Sequence, residues 1–168
     1  MTMANGHAFS LGKQDAALLR IEHLSILGAS RGPGNIPFAA RAVGYRFSSD
    51  FHQVTLFFSK TDARELLANI ADNGRLAAVF SLPSTHQSLQ LKGSDARIGK
   101  VAKADLELVN SYRRAFVDHL GKLGFARKAI ETMLAFEPGD LCAVTFTPSS
   151  AFSQTPGPNA GHAIGVTR

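Results

Sequence analysis

The sequence predicts an α+β domain in which a mainly antiparallel sheet closes as a small barrel. Apolar runs of strand length are joined by short turn-forming links, and segments with helical periodicity are inserted among them. The predicted order is β-β-β-α-β-β-α-α-β. The 168 residues show no internal repeat or break in composition. We therefore expect one domain, 1–168, with residues 1–15 and 149–168 loose or draped over its surface.

The composition is that of a folded protein, because 45% of the residues are hydrophobic and 18% are charged. The net charge of +5 would suit an anionic partner, but the basic residues are scattered, which favours a solvated surface. The single cysteine, Cys142, lies in an apolar run, so we expect a buried thiol and a reducing compartment. No signal peptide and no apolar stretch of about 20 residues is visible. These features predict a cytoplasmic protein that binds neither membrane nor nucleic acid.

The first two predicted strands form a hairpin. A short helix is expected at 15–21 and a strand at 22–29, and the Gly- and Pro-rich segment Ser30–Asn35 then leads into a strand at 37–47. This turn lacks the Gly-Lys-Ser/Thr ending of a phosphate-binding loop. In the second strand, Arg41 alternates in step with apolar residues and is therefore predicted to lie on the same face as they do. Its charge then needs a partner if the side chain is buried; otherwise Arg41 lies at a strand end where its guanidinium reaches water.

The third strand, at 53–59, runs directly into a helix at 63–71, for which Thr61 or Asp62 is the predicted N-cap. Lys60 lies at this junction. Backbone amides of the helix start and the Lys60 ammonium could together bind a phosphate. An ordinary helix start with a solvated lysine explains the pattern equally well, and the Asp62 carboxylate would oppose an anion.

The most informative stretch contains a buried strand at 75–81, a polar turn at 82–86 and a longer strand that begins at Gln87. The second strand alternates, so that its leucines share one face. The opposite face carries Ser88, Gln90, Lys92 and Ser94. This polar face either contacts a polar ligand or is solvated.

The C-terminal half predicts two helices and a last strand. Apolar residues recur at intervals of three and four over 103–122, and Gly121 and Gly124 mark the end of this helix. A second helix is expected at 127–135 and a strand at 139–147.

No constellation of catalytic or metal-binding residues is evident. The six histidines are dispersed, without the spacing of metal ligands, and no nucleophile motif is present. We therefore expect no metal and leave the catalytic residues unknown. His86, in the polar turn, is the one histidine that could contact a ligand and the only catalytic candidate, although a solvated turn residue would need no such explanation.

Three segments occur in an informative order and spacing: Arg41-Ala-Val-Gly44, the strand–helix junction Ser59–Asn69, and Gln90-Leu-Lys-Gly93. Together they resemble the pyridoxamine 5′-phosphate oxidase-like proteins, over residues from about 20 to 148. The segments Pro83–Gly93 and Gln154–Pro158 are similar to a subgroup of small members. Proteins of this family are FMN-binding split β-barrels and usually homodimers. The resemblance thus implies a split β-barrel with inserted and C-terminal helices, and FMN at a dimer interface.

The resemblance also implies ten cofactor-binding residues. They are Arg41, Ala42, Val43, Ser59, Lys60, Thr61, Thr85, His86, Gln90 and Lys92. The first three would lie along the flavin, with the arginine near its phosphate or ring edge, and the next three would lie near the phosphate at the helix start. The glutamine would reach the isoalloxazine ring, the last lysine would replace an arginine of better-known members, and the threonine and histidine at 85 and 86 would add contacts.

Two features depart from the family pattern. Thr61-Asp62 stands where the family has adjacent Arg-Lys, and the C-terminal part that binds pyridoxal phosphate in true oxidases is not recognisable. We therefore predict an FMN-binding oxidoreductase with an unknown substrate, rather than a true pyridoxamine phosphate oxidase. The alternatives are a non-catalytic carrier or sensor that binds flavin or haem in the same barrel, and a basic barrel that binds nucleic acid.

Overall fold

The structure, a computed structural model, describes residues 11–165. The helices of this part are α1 Lys13–Leu19, α2 Arg64–Asn73, α3 Lys103–Lys122 and α4 Arg127–Met133. The strands are β1 Ser25–Arg31, β2 Pro37–Arg41, β3 Gly44–Phe47, β4 Val54–Ser59, β5 Leu76–Ser81, β6 Ser88–Gly93, β7 Arg97–Gly99, β8 Leu141–Phe146, β9 Ser150–Ser153 and β10 Ala163–Ile164. Among these residues, no helix has both the length and the apolar composition that crossing a membrane requires.

The strands form two antiparallel sheets. The six-stranded sheet has the order β10-β9-β6-β5-β1-β2, and the four-stranded sheet has the order β3-β4-β8-β7. Helix α2 packs on β1, β2 and β7, and α3 packs on β3 and α4. The two sheets enclose one hydrophobic core. This confirms the predicted fold class, an α+β, mainly antiparallel split β-barrel with inserted and C-terminal helices.

Aromatic side chains join the two sheets and α3 across the core. The ring centroid of Tyr45 lies 5.7 Å from that of Phe80 and 5.6 Å from that of Tyr112, which links β3, β5 and α3. The Tyr112 hydroxyl donates a hydrogen bond to the Leu24 carbonyl oxygen at 2.8 Å. Burial raises the pKa of Tyr112, so its phenol remains a neutral donor at physiological pH. This contact fixes the middle of α3 against the segment that leads into β1.

The strand predicted at 37–47 is in fact two strands in different sheets. The Ala42 amide donates to the Ile26 carbonyl oxygen at 3.1 Å, and the next amide, that of Val43, donates to the Phe57 carbonyl oxygen at 2.8 Å. The chain therefore leaves the six-stranded sheet at Arg41 and enters the four-stranded sheet at Gly44. Because the strand is interrupted, the parity that grouped Arg41 with the apolar residues of β3 does not hold.

The C-terminal segment, expected to be loose or draped, extends the six-stranded sheet. Strand β9 pairs with β6, with Phe152 opposite Gln90, and β10 pairs with β9. The Ser149 amide donates to the Lys92 carbonyl oxygen at 2.8 Å. Without β9, strand β6 would expose a row of unpaired backbone groups at the sheet edge. Pairing with β6 therefore explains why this part of the C-terminal segment is ordered against the sheet. At the other end, α1 begins within the segment 1–15; residues 1–10 and 166–168 lie outside the described part.

Strand β6 ends at Gly93, where the chain bends towards the separate strand β7. A Cβ atom on Gly93 would lie 2.6 Å from the Thr147 carbonyl oxygen and 2.7 Å from the ring of Phe146. The close approach of two backbone segments thus requires glycine at this position. The sequence pattern alone does not show that the strand predicted from Gln87 ends at Gly93 and that β7 follows as a separate strand.

Replacing Gly93 by alanine should destabilise the barrel, because the neighbouring carbonyl oxygen belongs to backbone and cannot rotate away. We expect Gly93→Ala to lower the free energy of unfolding by about 1–3 kcal/mol in urea denaturation. Gly99→Ala is the matched control, since the nearest atom to a Cβ there is 3.9 Å away. Its effect should stay within about 0.5 kcal/mol. Equal losses in the two variants would contradict the close approach.

Candidate functional site

The outward face of the six-stranded sheet carries three of the predicted ligand-binding residues. Burial alternates along β1, β5 and β6, so every second side chain leaves the core. Strand register aligns outward-facing residues in a row across the sheet: Arg41, Leu27, Val79, Gln90 and Phe152. Lys92 lies on the same face, in the neighbouring row opposite Ala77.

The middle of this row is apolar and open. Arg41 on β2 and Gln90 on β6 are separated by three strand spacings, or about 14 Å. Leu27 and Val79 lie between them in the register. The Leu27 residue is 41% exposed, although it belongs to an inner strand of the sheet. The face therefore offers an apolar floor with an amide at one end and a guanidinium at the other.

The polar groups of this face have few partners. The Gln154 side-chain amide donates to Gln90 Oε1 at 3.3 Å, and the ammonium of Lys92 lies 4.5 Å from the ring centroid of Phe152. Arg41 Nη1 donates to the Ser25 hydroxyl oxygen at 2.8 Å. Within residues 11–165, neither Arg41 nor Lys92 forms an ion pair. Two cations on one face thus lack a carboxylate partner.

The predicted phosphate site at the start of α2 already holds a carboxylate of the chain itself. The Ser59 hydroxyl donates to Asp140 Oδ2 at 2.6 Å, and the Thr61 hydroxyl donates to Asp140 Oδ1 at 3.0 Å. The Lys60 ammonium donates to the Gly139 carbonyl oxygen at 2.9 Å. Asp140 therefore lies against the turn at which either a phosphate or a solvated lysine is expected.

The bonds at this junction lower the pKa of Asp140. The Ser59 hydroxyl is the main cause, and the backbone and side chain of Thr61 and the charge of Lys60 add to it. The Asp62 amide donates to the Ser59 hydroxyl oxygen at 3.1 Å, and α2 begins only at Arg64. Its N-cap is Ala63, so the expectation of Thr61 or Asp62 as N-cap is wrong. Ser59 and Asp140 organise the preceding turn instead.

Two further predicted residues, Ala42 and Val43, form the crossing between the sheets. The Ala42 and Val43 side chains are buried, and the amides of both are bonded to the backbone of neighbouring strands. Neither residue offers a free backbone donor to a ligand.

Thr85 and His86 lie in the turn before β6. The Thr85 hydroxyl accepts a hydrogen bond from the Gln87 amide at 3.3 Å, and the His86 amide donates to the Leu82 carbonyl oxygen at 2.9 Å. His86 has a φ of 61°, in the left-handed region. Its side chain lines a cavity that Arg41 also lines. His86 is therefore associated with a ligand-sized space.

Sequence reasoning missed several residues that complete this region. Asp140, Phe152 and Gln154 come from the last third of the chain, and their contacts span 60 or more positions of sequence. The segment Gln154–Pro158 was the one signal for the tail, because it resembles a subgroup of small family members. No local pattern distinguishes Asp140 from a solvated residue of a Pro-Gly-Asp turn.

The thiol of Cys142 is buried, as predicted, and lies 3.7 Å from the Phe58 carbonyl oxygen. Burial raises the pKa of this thiol, which keeps it protonated and poorly nucleophilic. The cysteine is a packing residue of β8.

Replacing Asp140 by asparagine should cost stability in a pH-dependent way. Folding lowers the pKa of this carboxyl, so its stabilising effect is complete above the unfolded value of about 4 and is lost as the pH falls through the folded value. We expect Asp140→Asn to lower Tm at pH 7, and the deficit to shrink as the pH falls below about 4. Thermal melts followed by circular dichroism test this, with Asp72→Asn on the exposed face of α2 as control. A deficit that does not change with pH would argue against the ionised contact.

No protein-family model matches the sequence, and no curated protein matches it. Solved structures are similar to it. HupZ from Group A Streptococcus aligns with a TM-score of 0.53 and 15% identity over 90% of this chain and 99% of that chain. A protein from Clostridium acetobutylicum, described as related to general stress protein 26 of B. subtilis and as of the pyridoxinephosphate oxidase family, aligns with a TM-score of 0.51 and 14% identity over 92% of each chain.

General stress protein 26 from Bacillus anthracis aligns with a TM-score of 0.51 and 10% identity, over 91% of this chain and 95% of that one. At such identities the likeness concerns the arrangement of the backbone. The alignments span about nine-tenths or more of each chain. The chain therefore has the split β-barrel fold of the pyridoxamine 5′-phosphate oxidase-like proteins, as its sequence resemblance implies.

Proposed function

We propose that this protein is an FMN-binding oxidoreductase that holds the flavin on the outward face of its six-stranded sheet. The observation that carries the proposal is the placement of Arg41, Gln90 and Lys92 on one open face, with no carboxylate paired to either cation among the described residues. The family resemblance of the same three positions supports it. The substrate and the electron donor are left open.

The chemistry of the face fits FMN. A flavin ring is flat and largely apolar, and the floor between the polar groups consists of Leu27, Val79 and the small side chains of Ala29 and Ala77. The ring has a polar edge that an amide can recognise, and the phosphate group carries negative charge that suits cations. A bulkier or more acidic face would not accept such a ligand.

Each of the three residues has a distinct task in this proposal. The Gln90 carbonyl oxygen already accepts a bond from Gln154, so its amide group is available to donate to the ring edge. The Lys92 ammonium supplies positive charge beside the ring, although it lacks the bidentate geometry of arginine. Arg41 has the planar fork that binds phosphate or a ring-edge oxygen at two points.

Bound FMN would supply hydride or electron transfer. The protein would bind and orient the ring, keep water from its covered side and hold positive charge at Lys92. No described residue is required as an acid or base, and His86 is the one we would test for that role.

The helix start is not part of the flavin contacts in this proposal. The donors of Ser59, Lys60 and Thr61 are engaged by Asp140 and the neighbouring Gly139. A phosphate at that point would have to displace a carboxylate that the same donors stabilise. Whether these residues also bind FMN is therefore decided by the Lys60 variant below.

We further propose that the protein is a homodimer with the flavin between the protomers. A ligand that lies on an open sheet has only one side covered. The apolar side chains of its floor, Leu27 and Val79, face outward, and Leu27 is 41% exposed. A second copy of the chain would cover both the ligand and these side chains.

Removing either cation should weaken FMN binding. We expect Lys92→Met and Arg41→Gln each to raise the Kd for FMN about tenfold or more, because a charged hydrogen-bonding partner is lost. Quenching of flavin fluorescence on titration measures this. The controls are Lys100→Met and Arg97→Gln, two exposed cations away from the face, which should change the Kd less than twofold.

Lys60→Met is the decisive third variant. Our placement predicts a change in Kd of less than twofold, because Lys60 bonds to Gly139. A tenfold loss of FMN affinity in Lys60→Met, with normal affinity in Lys92→Met and Arg41→Gln, would indicate that the flavin binds at the helix start instead. Absence of FMN binding by the unmodified protein would refute the function itself.

A charge in the middle of the open face should separate the protomers. We expect Leu27→Glu to convert a dimer into a monomer in light scattering at micromolar concentration, because it buries a carboxylate on the floor of the covered face, beneath the flavin. Ile98→Glu is the matched control, since Ile98 is 43% exposed but lies in the other sheet. A monomeric unmodified protein, or dissociation by Ile98→Glu alone, would contradict this interface.

A further inference from the structure

A cavity of about 550 Å³ opens at the end of the six-stranded sheet, beside the row that contains Arg41. Its walls are the C-terminal half of α3, the helix α4 and the turn that carries His86. This volume is within the range of pockets that hold small molecules, which is about 300–1,000 Å³. The described side chains that line it include no aspartate or glutamate.

One side of the cavity is apolar and incompletely covered. Phe116 and Leu120 of α3 and Ile130 of α4 form its inner wall. Phe125, at the mouth, is 59% exposed and Met133 is 44% exposed. Large apolar side chains that converge on a cavity and remain accessible gain free energy when an apolar body covers them.

The opposite side is polar and carries a single permanent charge. Ser25, Ser81 and Ser88 lie side by side across three strands, and the Ser88 hydroxyl donates to the Ser81 hydroxyl oxygen at 2.8 Å. Arg41 reaches this row through its hydrogen bond to the Ser25 hydroxyl. A guanidinium retains its charge in any environment. The polar side therefore favours a small anionic group with hydrogen-bond acceptors.

We propose that this cavity binds an amphipathic organic monoanion, namely a carboxylate attached to an apolar body. The carboxylate lies against Arg41 and the serine row, and the apolar body lies between α3 and α4, where it covers Phe125 and Met133. Arg41 belongs both to this cavity and to the open sheet face. The ligand would thus lie next to the flavin as its substrate; this last step rests on the proposed function, whereas the binding itself does not.

Isothermal titration calorimetry of the full chain with decanoate and decanol tests the two halves of the cavity separately. We expect saturable binding of decanoate. Ala129→Trp should weaken decanoate and decanol alike, about tenfold, because an indole on the exposed face of α4 fills the cavity. Arg41→Gln should weaken decanoate about tenfold or more and change the affinity for decanol less than twofold.

The controls place equivalent changes outside the cavity. Ala135→Trp introduces an indole at another exposed position after α4, and Arg97→Gln removes a cation from β7. Both should bind decanoate with less than a twofold change. Decanoate that does not saturate, or affinities unchanged by Ala129→Trp, would overturn the proposal. So would equal losses of decanoate and decanol in Arg41→Gln.

Two further measurements separate this proposal from its alternatives. If a second copy of the chain covers the cavity mouth, Phe125→Glu converts a dimer into a monomer and decanoate does not bind; that pair of results would overturn the proposal. FMN is titrated in parallel. Decanoate binding that depends on Ala129 and Arg41, in a protein that fails to bind FMN, would uphold the cavity and refute only the flavoprotein function.

Discussion

The passage of the chain from one sheet to the other at Ala42 and Val43 is the constraint on which the structure depends. Two consecutive amides are bonded to different sheets, and both side chains are buried, so the crossing cannot shift by a residue without losing backbone bonds in the core. This crossing leaves Arg41 at the end of β2 on the outer face, while Tyr45 turns into the core. The position of the arginine is thus a consequence of how the barrel is split.

Helix α3 provides part of the apolar wall of the cavity. Tyr112 anchors it to the Leu24 carbonyl oxygen in the middle, and at its first turn Asp105 accepts a bond from the Ala102 amide and pairs with Arg46 at 3.1 Å. Phe116 and Leu120, in its C-terminal half, line the cavity at the end of the six-stranded sheet, and α4 packs against α3. The apolar wall of the cavity is therefore supported by the same contacts that hold the helix on the barrel.

The electrostatics of the chain distinguish two groups of cations. Lys60, in the turn before α2, donates to the Gly139 carbonyl oxygen, and its charge acts on the neighbouring Asp140 carboxylate and helps to lower its pKa. Arg41 and Lys92 have no such partner in the described part of the chain. A phosphate or carboxylate ligand gains most where the protein has not already paired its charges. This difference favours an anionic ligand on the sheet face over one at the start of α2.

The sequence by itself determined the fold class, α2, α3 and α4, and the face of β6 that carries Gln90 and Lys92. These features depend on local periodicity and on turn residues, which short stretches of chain contain in full. Tertiary structure alone decided that 37–47 divides between two sheets, that the tail becomes β9 and β10, and that Asp140 bonds to the turn before α2. Each of these rests on hydrogen bonds between residues that are not neighbours in the chain. The need of a backbone group or a charge for such a partner cannot be recognised from the residues next to it in the sequence.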